Sequence, residues 1–212
     1  LLLIAAATQA HIALSRDGIA AGGGELSTAS LLEPALRGIL YTPSDAADVA
    51  GHTCPPLVHA CAKLVDLTGA AGAVMPDGKL LGSVVTRLHR ALSHSAADIR
   101  GAALELLQSL HSHGWLLVTG AGDGAAGAGD ADEIVSQMLS VCVGIEQSPL
   151  NPTSKQLAFD GEAIIKLAKR PHLPPVAAEI LMHHSLGMLT IKFAHVWRHV
   201  RTLLNALAER WP

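Results

Sequence analysis

Apolar side chains recur every three to four positions along most of this 212-residue chain, and this spacing constrains the fold more than any other feature. Residues three and four apart lie on the same face of an α-helix, so each run predicts an amphipathic helix with one buried stripe. No segment alternates apolar and polar residues over the length of a β-strand. The pattern predicts an all-α fold of about nine helices, in segments 1–14, 30–40, 55–67, 77–92, 95–114, 130–146, 151–170, 174–193 and 195–210.

The composition agrees with packed helices. Half of the residues are hydrophobic and only 3% are aromatic, which favours close helix–helix packing over a β-sandwich. The formal net charge is −3, so the chain lacks the excess of basic residues that marks a nucleic-acid-binding domain. An odd number of cysteines without a paired framework predicts a reduced intracellular compartment and thiols that fill the core. These cysteines are Cys54, Cys61 and Cys142.

The first fourteen residues are apolar, but they do not read as a membrane span or a signal peptide. Thr8, Gln9 and His11 interrupt the run well short of the ~18–20 apolar residues that a span needs. We expect a core helix that packs against further chain upstream. On this interpretation the 212 residues are a segment of a larger protein.

Short connections between most of the predicted helices favour successive antiparallel hairpins, which bury their stripes against neighbouring hairpins. The segment 97–110 carries the pattern of the second helix of a HEAT repeat. An arginine at the position of Arg100 in such a helix commonly braces the neighbouring turn. We therefore predict a single α-solenoid segment of HEAT or armadillo type over residues 1–212.

Two Gly-rich stretches predict flexible loops, at about residues 19–25 and 120–132. The second resembles a phosphate-binding loop in composition, but it lacks the Gly-Lys-Ser/Thr ending and no predicted strand precedes it. Its acidic residues also miss the register of a calcium-binding loop. We interpret both stretches as solvated connections, and we predict no cofactor.

Four histidines crowd the end of the chain, where His195 and His199 have the four-residue spacing that many metal sites use. No acid lies between these two, and the adjacent His183 and His184 point to different faces of a helix. We therefore expect packed or solvent-facing imidazoles. The cysteines do not match a zinc-ligand spacing, and no nucleophile elbow, Cys–His dyad or carboxylate pair is present. The sequence thus predicts neither a metal site nor an enzyme.

Small groups of cations lie on the expected polar faces of three helices. A solvated helix face is the ordinary interpretation of such groups, and contact with an acidic partner or with RNA phosphates is the alternative. The candidate contact residues are Arg87, Arg90, Lys166, Lys169, Arg170, Arg198 and Arg201.

Residues 186–200, "LGMLTIKFAHVWRHV", together with the upstream segments "IEQSP" and "RPHLPPVAAEILMHH", resemble the "down-regulated in metastasis" family. The resemblance covers about residues 80–210, and it includes the helix "ADIRGAALELLQSL". The positions that match the family pattern are apolar or aromatic, and we expect them to form the core of a helix hairpin, with Phe193 and Trp197 filling the joint. They are Leu186, Gly187, Met188, Leu189, Phe193 and Trp197.

Members of this family are very large nucleolar HEAT-repeat proteins that are associated with the U3 small nucleolar ribonucleoprotein. The resemblance implies a non-catalytic scaffold of the small-subunit processome, which acts in pre-rRNA processing. It implies location in the nucleus and nucleolus, with processome proteins and pre-ribosomal RNA as partners. Neither a membrane nor a small-molecule substrate is expected. A general HEAT-repeat adaptor for protein partners, of the nuclear-transport or phosphatase-scaffold kind, remains one alternative. A metal-dependent helical enzyme is the other.

Overall fold

The computed structural model describes residues 28–40, 55–71, 75–116, 125–148, 163–191 and 194–209. Within these ranges the backbone forms eight α-helices and no β-strand, which confirms the all-α prediction. The helices are α1 (Thr28–Leu40), α2 (Pro55–Ala70), α3 (Gly78–Leu92), α4 (Ala97–Ser112), α5 (Ala125–Gln147), α6 (Ala163–Ala168), α7 (Pro175–Leu189) and α8 (Ala194–Ala208). The predicted N-terminal helix and the predicted loop at 19–25 lie outside the described residues.

Two helices begin where their sequences predict. α2 starts with Pro55 and Pro56, and a proline suits the first turn because its φ is already helical and its missing N–H needs no partner. α3 is capped by Asp77, whose carboxylate accepts a hydrogen bond from the backbone N–H of Leu80 at 3.4 Å. The predicted stripes of both helices face the core.

The C-terminus of α4 is fixed by Gly114, as the sequence predicts. Gly114 has φ of +70°, a left-handed conformation that glycine adopts without steric cost. The backbone N–H of Trp115 donates to the carbonyl oxygen of Leu110 at 2.8 Å, and the backbone N–H of Gly114 donates to the carbonyl oxygen of His111 at 2.9 Å. This pair of bonds is the Schellman motif, which satisfies carbonyls at the helix end.

The N-terminus of α4 differs from its prediction. The spacing of Ser95 and Asp98 predicts a capping box, but the N-cap residue is Ala96, which makes no side-chain capping bond. The carboxylate of Asp98 instead accepts from the backbone N–H of Ile99 at 3.0 Å. The carbonyl oxygen of Ser95 is bonded to Arg100, so the preceding turn is held by that side chain.

The predicted loop at 120–132 requires a correction, because α5 begins at Ala125 and makes residues 125–132 helical. Alanine alternates with glycine in this stretch, and alanine is the strongest helix former. A helix that is already nucleated by the buried Ile134 and Val135 extends back over such a sequence at little cost. The remainder of the predicted loop, residues 120–124, lies outside the described residues.

The contacts between the described helices have the pattern of two rows. In one row α1 contacts α3, α3 contacts α7, and α7 contacts α8. In the other row α2 contacts α4, α4 contacts α5, and α5 contacts α6. Between the rows α1 contacts α2, α3 contacts α4, α5 contacts α7, and α6 contacts α8. Among the described helices, the pairs α1–α2 and α3–α4 join successive helices. The pairs α5–α7 and α6–α8 join helices that are not successive.

Buried apolar side chains from all eight helices belong to one connected cluster. Cys61 and Cys142 are part of it, which confirms the prediction of core cysteines, whereas Cys54 lies outside the described residues. Burial raises the pKa of the Cys61 thiol to about 12, and it raises the pKa of Cys142 as well. None of the described helices has both the length and the apolar character needed to cross a bilayer.

Gly187 of α7 allows close contact with the turn between α3 and α4. A Cβ atom at Gly187 would overlap the carbonyl oxygen of Leu92 and would lie 2.6 Å from Cδ of Arg100. We expect Gly187→Ala to lower the free energy of unfolding by about 1–3 kcal/mol, because the overlap is with backbone that has little room to move. Urea unfolding followed by circular dichroism measures this change.

The matched control is Gly144→Ala in α5, where an added Cβ meets nothing within 4 Å. This variant should be more stable by about 0.5–1 kcal/mol, because alanine has the higher helix propensity. If both variants were stabilised alike, the close approach of α7 to the α3–α4 turn would be wrong.

Candidate interaction surface

A buried charge network joins α4, α5 and α7. The Nε and Nη2 atoms of Arg100 donate to the two carboxylate oxygens of Glu146, at 2.9 Å each. The Nη1 atom of Arg100 donates to the carbonyl oxygens of His94 and Ser95, at 2.8 and 2.9 Å. On the other side, Nε2 of His184 lies 2.8 Å from Oε1 of Glu146. The prediction that Arg100 braces the neighbouring turn is therefore confirmed.

The network is almost fully removed from water, with side-chain exposures of 0% for Arg100, 2% for Glu146 and 1% for His184. Burial by itself raises the pKa of Glu146, but hydrogen bonds from His184 and Arg100, together with their charges, outweigh it and lower the pKa to about 2. The bidentate geometry leaves no oxygen of the carboxylate without a donor. Glu146 is therefore ionised, and the network fixes the positions of α4, α5 and α7 relative to one another.

The family-like positions are only partly in the core. Gly187 and Met188 are buried and Leu189 packs against the core from a half-buried position, as predicted. The core prediction is wrong for Leu186, which is 42% exposed, and for Trp197, which is 36% exposed. Phe193 lies outside the described residues.

Trp197 is held at the surface by a polar contact. Its indole N–H donates to the carbonyl oxygen of Ile191 at 2.9 Å, just beyond the C-terminus of α7. The ring therefore lies beside the turn at the end of α7, and its exposure shows that it is not buried in a joint between the two helices. Truncation of Trp197 should consequently cost less than the ~3–5 kcal/mol expected for a buried tryptophan.

The adjacent histidines of α7 face different neighbours, as predicted from their spacing. His184 joins the buried network, whereas Nδ1 of His183 lies 2.9 Å from the hydroxyl of Ser93. The ring of His183 stacks on His89 of α3, and Nδ1 of His89 lies 3.1 Å from a carboxylate oxygen of Glu179. Burial is the main cause that lowers the pKa of both His89 and His183. Among the described side chains, no group of three or more His, Cys, Asp or Glu could hold a metal ion.

The candidate cations are divided between two places in the fold. Arg87 and Arg90 belong to α3, and Arg90 is the more exposed of the two. The other five lie on α6, on the turn that follows it, and on α8, which are in mutual contact at one end of the two rows. They are Lys166, Lys169, Arg170, Arg198 and Arg201.

This end of the fold is locally basic. Within residues 163–172 and 194–209, Glu209 is the one acidic residue. Arg170 is partly neutralised by α5, since its guanidinium lies 3.7 Å from a carboxylate oxygen of Asp130 and 3.5 Å from the amide oxygen of Gln137. Lys169, Arg198 and Arg201 are exposed. The α6–α8 end can therefore attract anions although the whole chain is acidic.

An apolar groove runs along the outer side of α7 and α8. It has a volume of about 570 Å³. The lining residues are Pro175, Ala178, Glu179, Met182 and Leu186 from α7, and Leu204, Leu207 and Ala208 from α8. Met182 and Leu186 are each 42% exposed, so α7 presents large apolar side chains to solvent at positions where a surface helix normally carries polar ones.

Sequence reasoning did not identify Glu146 and His184 as structural residues. The sequence does contain one indication of the pair, because both charged residues occupy positions of apolar stripes. Arg100 lies three residues before Ala103, and Glu146 lies four residues after Cys142. A cation and an acid at stripe positions of neighbouring helices predict a buried pair, because an unpaired charge there is too costly. The partner helix of each could not be known without the fold.

We expect Glu146→Gln to lower the free energy of unfolding by about 3–5 kcal/mol, because it leaves the buried guanidinium of Arg100 without its countercharge. The control is Glu33→Gln in α1, which breaks a 2.7 Å pair with Arg37 whose side chains are about half exposed. That change should be below about 0.5 kcal/mol. Equal losses in chemical denaturation of the two variants would contradict the assigned burial of the network.

The network also predicts a pH dependence. A carboxylate whose pKa is lowered on folding stabilises the fold above its ordinary pKa of 4.5, and this contribution is lost as the pH falls to about 2. Thermal unfolding measured over this range should show a steeper fall of Tm in the parent chain than in Glu146→Gln. Parallel curves would mean that Glu146 has the same pKa in the folded and unfolded states.

Comparison of the chain with protein-family models, with curated proteins and with solved structures gives no match.

Proposed function

We propose that this chain is a segment of a non-catalytic α-solenoid scaffold, which holds macromolecular partners on an extended surface. The observation that carries the proposal is the two-row pattern of helix contacts, in which each described pair of helices packs mainly on the pairs beside it. Stacked helix pairs of this kind expose long faces instead of enclosing a cleft. The buried Arg100, Glu146 and His184 bind one another across three helices, which is consistent with a role in holding helices together.

The specific form of the proposal is a scaffold of the small-subunit processome in the nucleolus, which supports pre-rRNA processing without catalysing it. It rests on the resemblance of residues 80–210 to the "down-regulated in metastasis" family. The basic α6–α8 end supports it, because exposed lysine and arginine side chains attract RNA phosphates. In this proposal the partners are pre-ribosomal RNA and other processome proteins.

A general HEAT-type adaptor for protein partners is the second candidate. The apolar groove on α7 and α8 favours it, because large exposed apolar patches mark protein–protein contacts more often than RNA contacts. The two candidates share the scaffold role and differ in whether RNA is bound.

Affinity purification of the tagged full-length protein from its own cells tests the specific form. Recovery of pre-ribosomal RNA together with small-subunit assembly proteins is the expected result. A purification that yields protein partners but no pre-ribosomal RNA would replace the processome proposal with the adaptor candidate.

We expect reversal of the basic end by Lys169→Glu, Arg198→Glu and Arg201→Glu to weaken RNA binding. Each phosphate contact that is lost should reduce the slope of log affinity against log salt by roughly 0.7–0.9. Filter binding of the purified chain to a pre-ribosomal RNA transcript at several salt concentrations measures both quantities.

The control reverses the exposed Lys63 of α2 and Lys79 of α3, which lie outside the α6–α8 end. This variant should keep the salt slope of the parent chain. If both variants lost affinity equally, binding would reflect net charge alone, and the assignment of the α6–α8 end would be wrong.

A further inference from the structure

The groove on α7 and α8 has the features of a site for an amphipathic helix. Four residues of α7, namely Pro175, Glu179, Met182 and Leu186, are spaced by three or four and lie on one side of the helix. From Pro175 to Leu186 they span twelve residues, and the eleven steps between the ends correspond to roughly 16 Å of helix length. A ligand helix places three apolar anchors, at i, i+4 and i+7, within the same distance.

The chemistry of the walls selects a helical ligand over an extended one. Both walls are α-helices, whose backbone N–H and C=O groups are already paired with one another along the helix. An extended peptide would bury its own backbone groups in the groove without partners, which is costly, whereas a helix satisfies them internally. Of the lining side chains, Glu179 is the one that carries a charge.

Charge marks both ends of the groove. Glu179 lies towards the start of α7, and its side chain is 59% exposed although it also contacts His89. Arg201 lies three residues before Leu204 and seven before Ala208, so it shares the groove side of α8. Trp197 occupies the same side one turn earlier, and it is 36% exposed. A ligand that carries a cation at one end and an acid at the other would complement these charges.

We propose that the α7–α8 groove binds an amphipathic helix of a partner protein, with an apolar stripe of leucine-like residues, a basic residue opposite Glu179 and an acidic residue opposite Arg201. This inference rests on the proposed scaffold function and names the chemistry of one partner. Met182 is suited to contact the apolar stripe of the ligand, because its unbranched thioether side chain adapts its shape to an incoming side chain. The expected contribution of each wall is apolar contact, and the charged ends set the direction and selectivity of the ligand.

The probe is a fluorescein-labelled 16-residue helical peptide with leucine at i, i+4, i+7 and i+11, glutamate in its first turn and lysine in its last. Fluorescence anisotropy with the purified chain should show saturable binding, and a scrambled peptide of the same composition should not bind. Leu186→Lys and Met182→Gln should each weaken binding by about tenfold or more, because central apolar anchors dominate such interfaces. Thermal melts establish that each variant is folded.

The matched control is Met75→Lys, since Met75 is 39% exposed and lies outside the groove. It should change the affinity by less than about twofold, as expected of a residue that does not touch the ligand. Glu179→Lys should weaken binding of the first peptide, and a peptide with glutamate in place of its lysines should restore the affinity.

Four results would overturn the inference. These are no saturable binding of the striped peptide, equal losses in Met75→Lys and Leu186→Lys, self-association of the chain that Leu186→Lys abolishes, and binding to phosphatidylcholine–phosphatidylserine vesicles that the groove variants abolish. Failure of peptide binding while the tagged protein still recovers pre-ribosomal RNA would remove this inference alone. Failure of peptide binding together with a purification that recovers neither pre-ribosomal RNA nor protein partners would remove the proposed scaffold function as well.

Discussion

The bidentate bond between Arg100 and Glu146 is the interaction on which the second half of the structure depends. It removes two full charges from water, which is tolerable because every oxygen and most donors of the pair are satisfied. The same guanidinium holds the turn before α4, and the same carboxylate binds His184 of α7. Three helices from both rows therefore meet at one point, and Gly187 provides the space that the arginine side chain needs.

The contacts at this network determine which side of α7 is exposed to solvent. Its inner side is committed to the network through His184 and to the close contact at Gly187, so its orientation is set. The outer side then carries Met182 and Leu186 into solvent beside α8. The apolar groove is thus a consequence of a helix that is apolar on nearly every side but covered on only part of its surface. An internal charge network and the apolar groove that we propose as a binding site are linked through one helix.

The sequence predicts where most helices lie along the chain, but it does not predict which helices pack against one another. Apolar periodicity locates most helices, and local chemistry locates ends such as Pro55 and Gly114, because these effects act within a few residues. Periodicity cannot state which side of α7 is covered, since apolar residues surround it, and Leu186 is therefore exposed against expectation. Trp197 of α8 is also exposed, and its indole N–H is bonded to the carbonyl oxygen of Ile191, a contact that periodicity does not predict. The start of α5 was missed because alanine and glycine together resemble a loop in composition. Arg100 was identified through its repeat pattern, whereas Glu146 and His184 depend on contacts between distant residues.

A double-mutant cycle between Arg100 and Glu146 tests this account most directly. Arg100→Met and Glu146→Leu are made singly and together, and the free energy of unfolding of each is measured by urea denaturation. The account predicts that the double variant recovers most of the stability that either single variant loses, because two apolar side chains can replace a buried ion pair but neither charge tolerates isolation. Losses that simply add would show that the two side chains do not interact in the folded protein, and the arrangement of α4, α5 and α7 described above would be wrong.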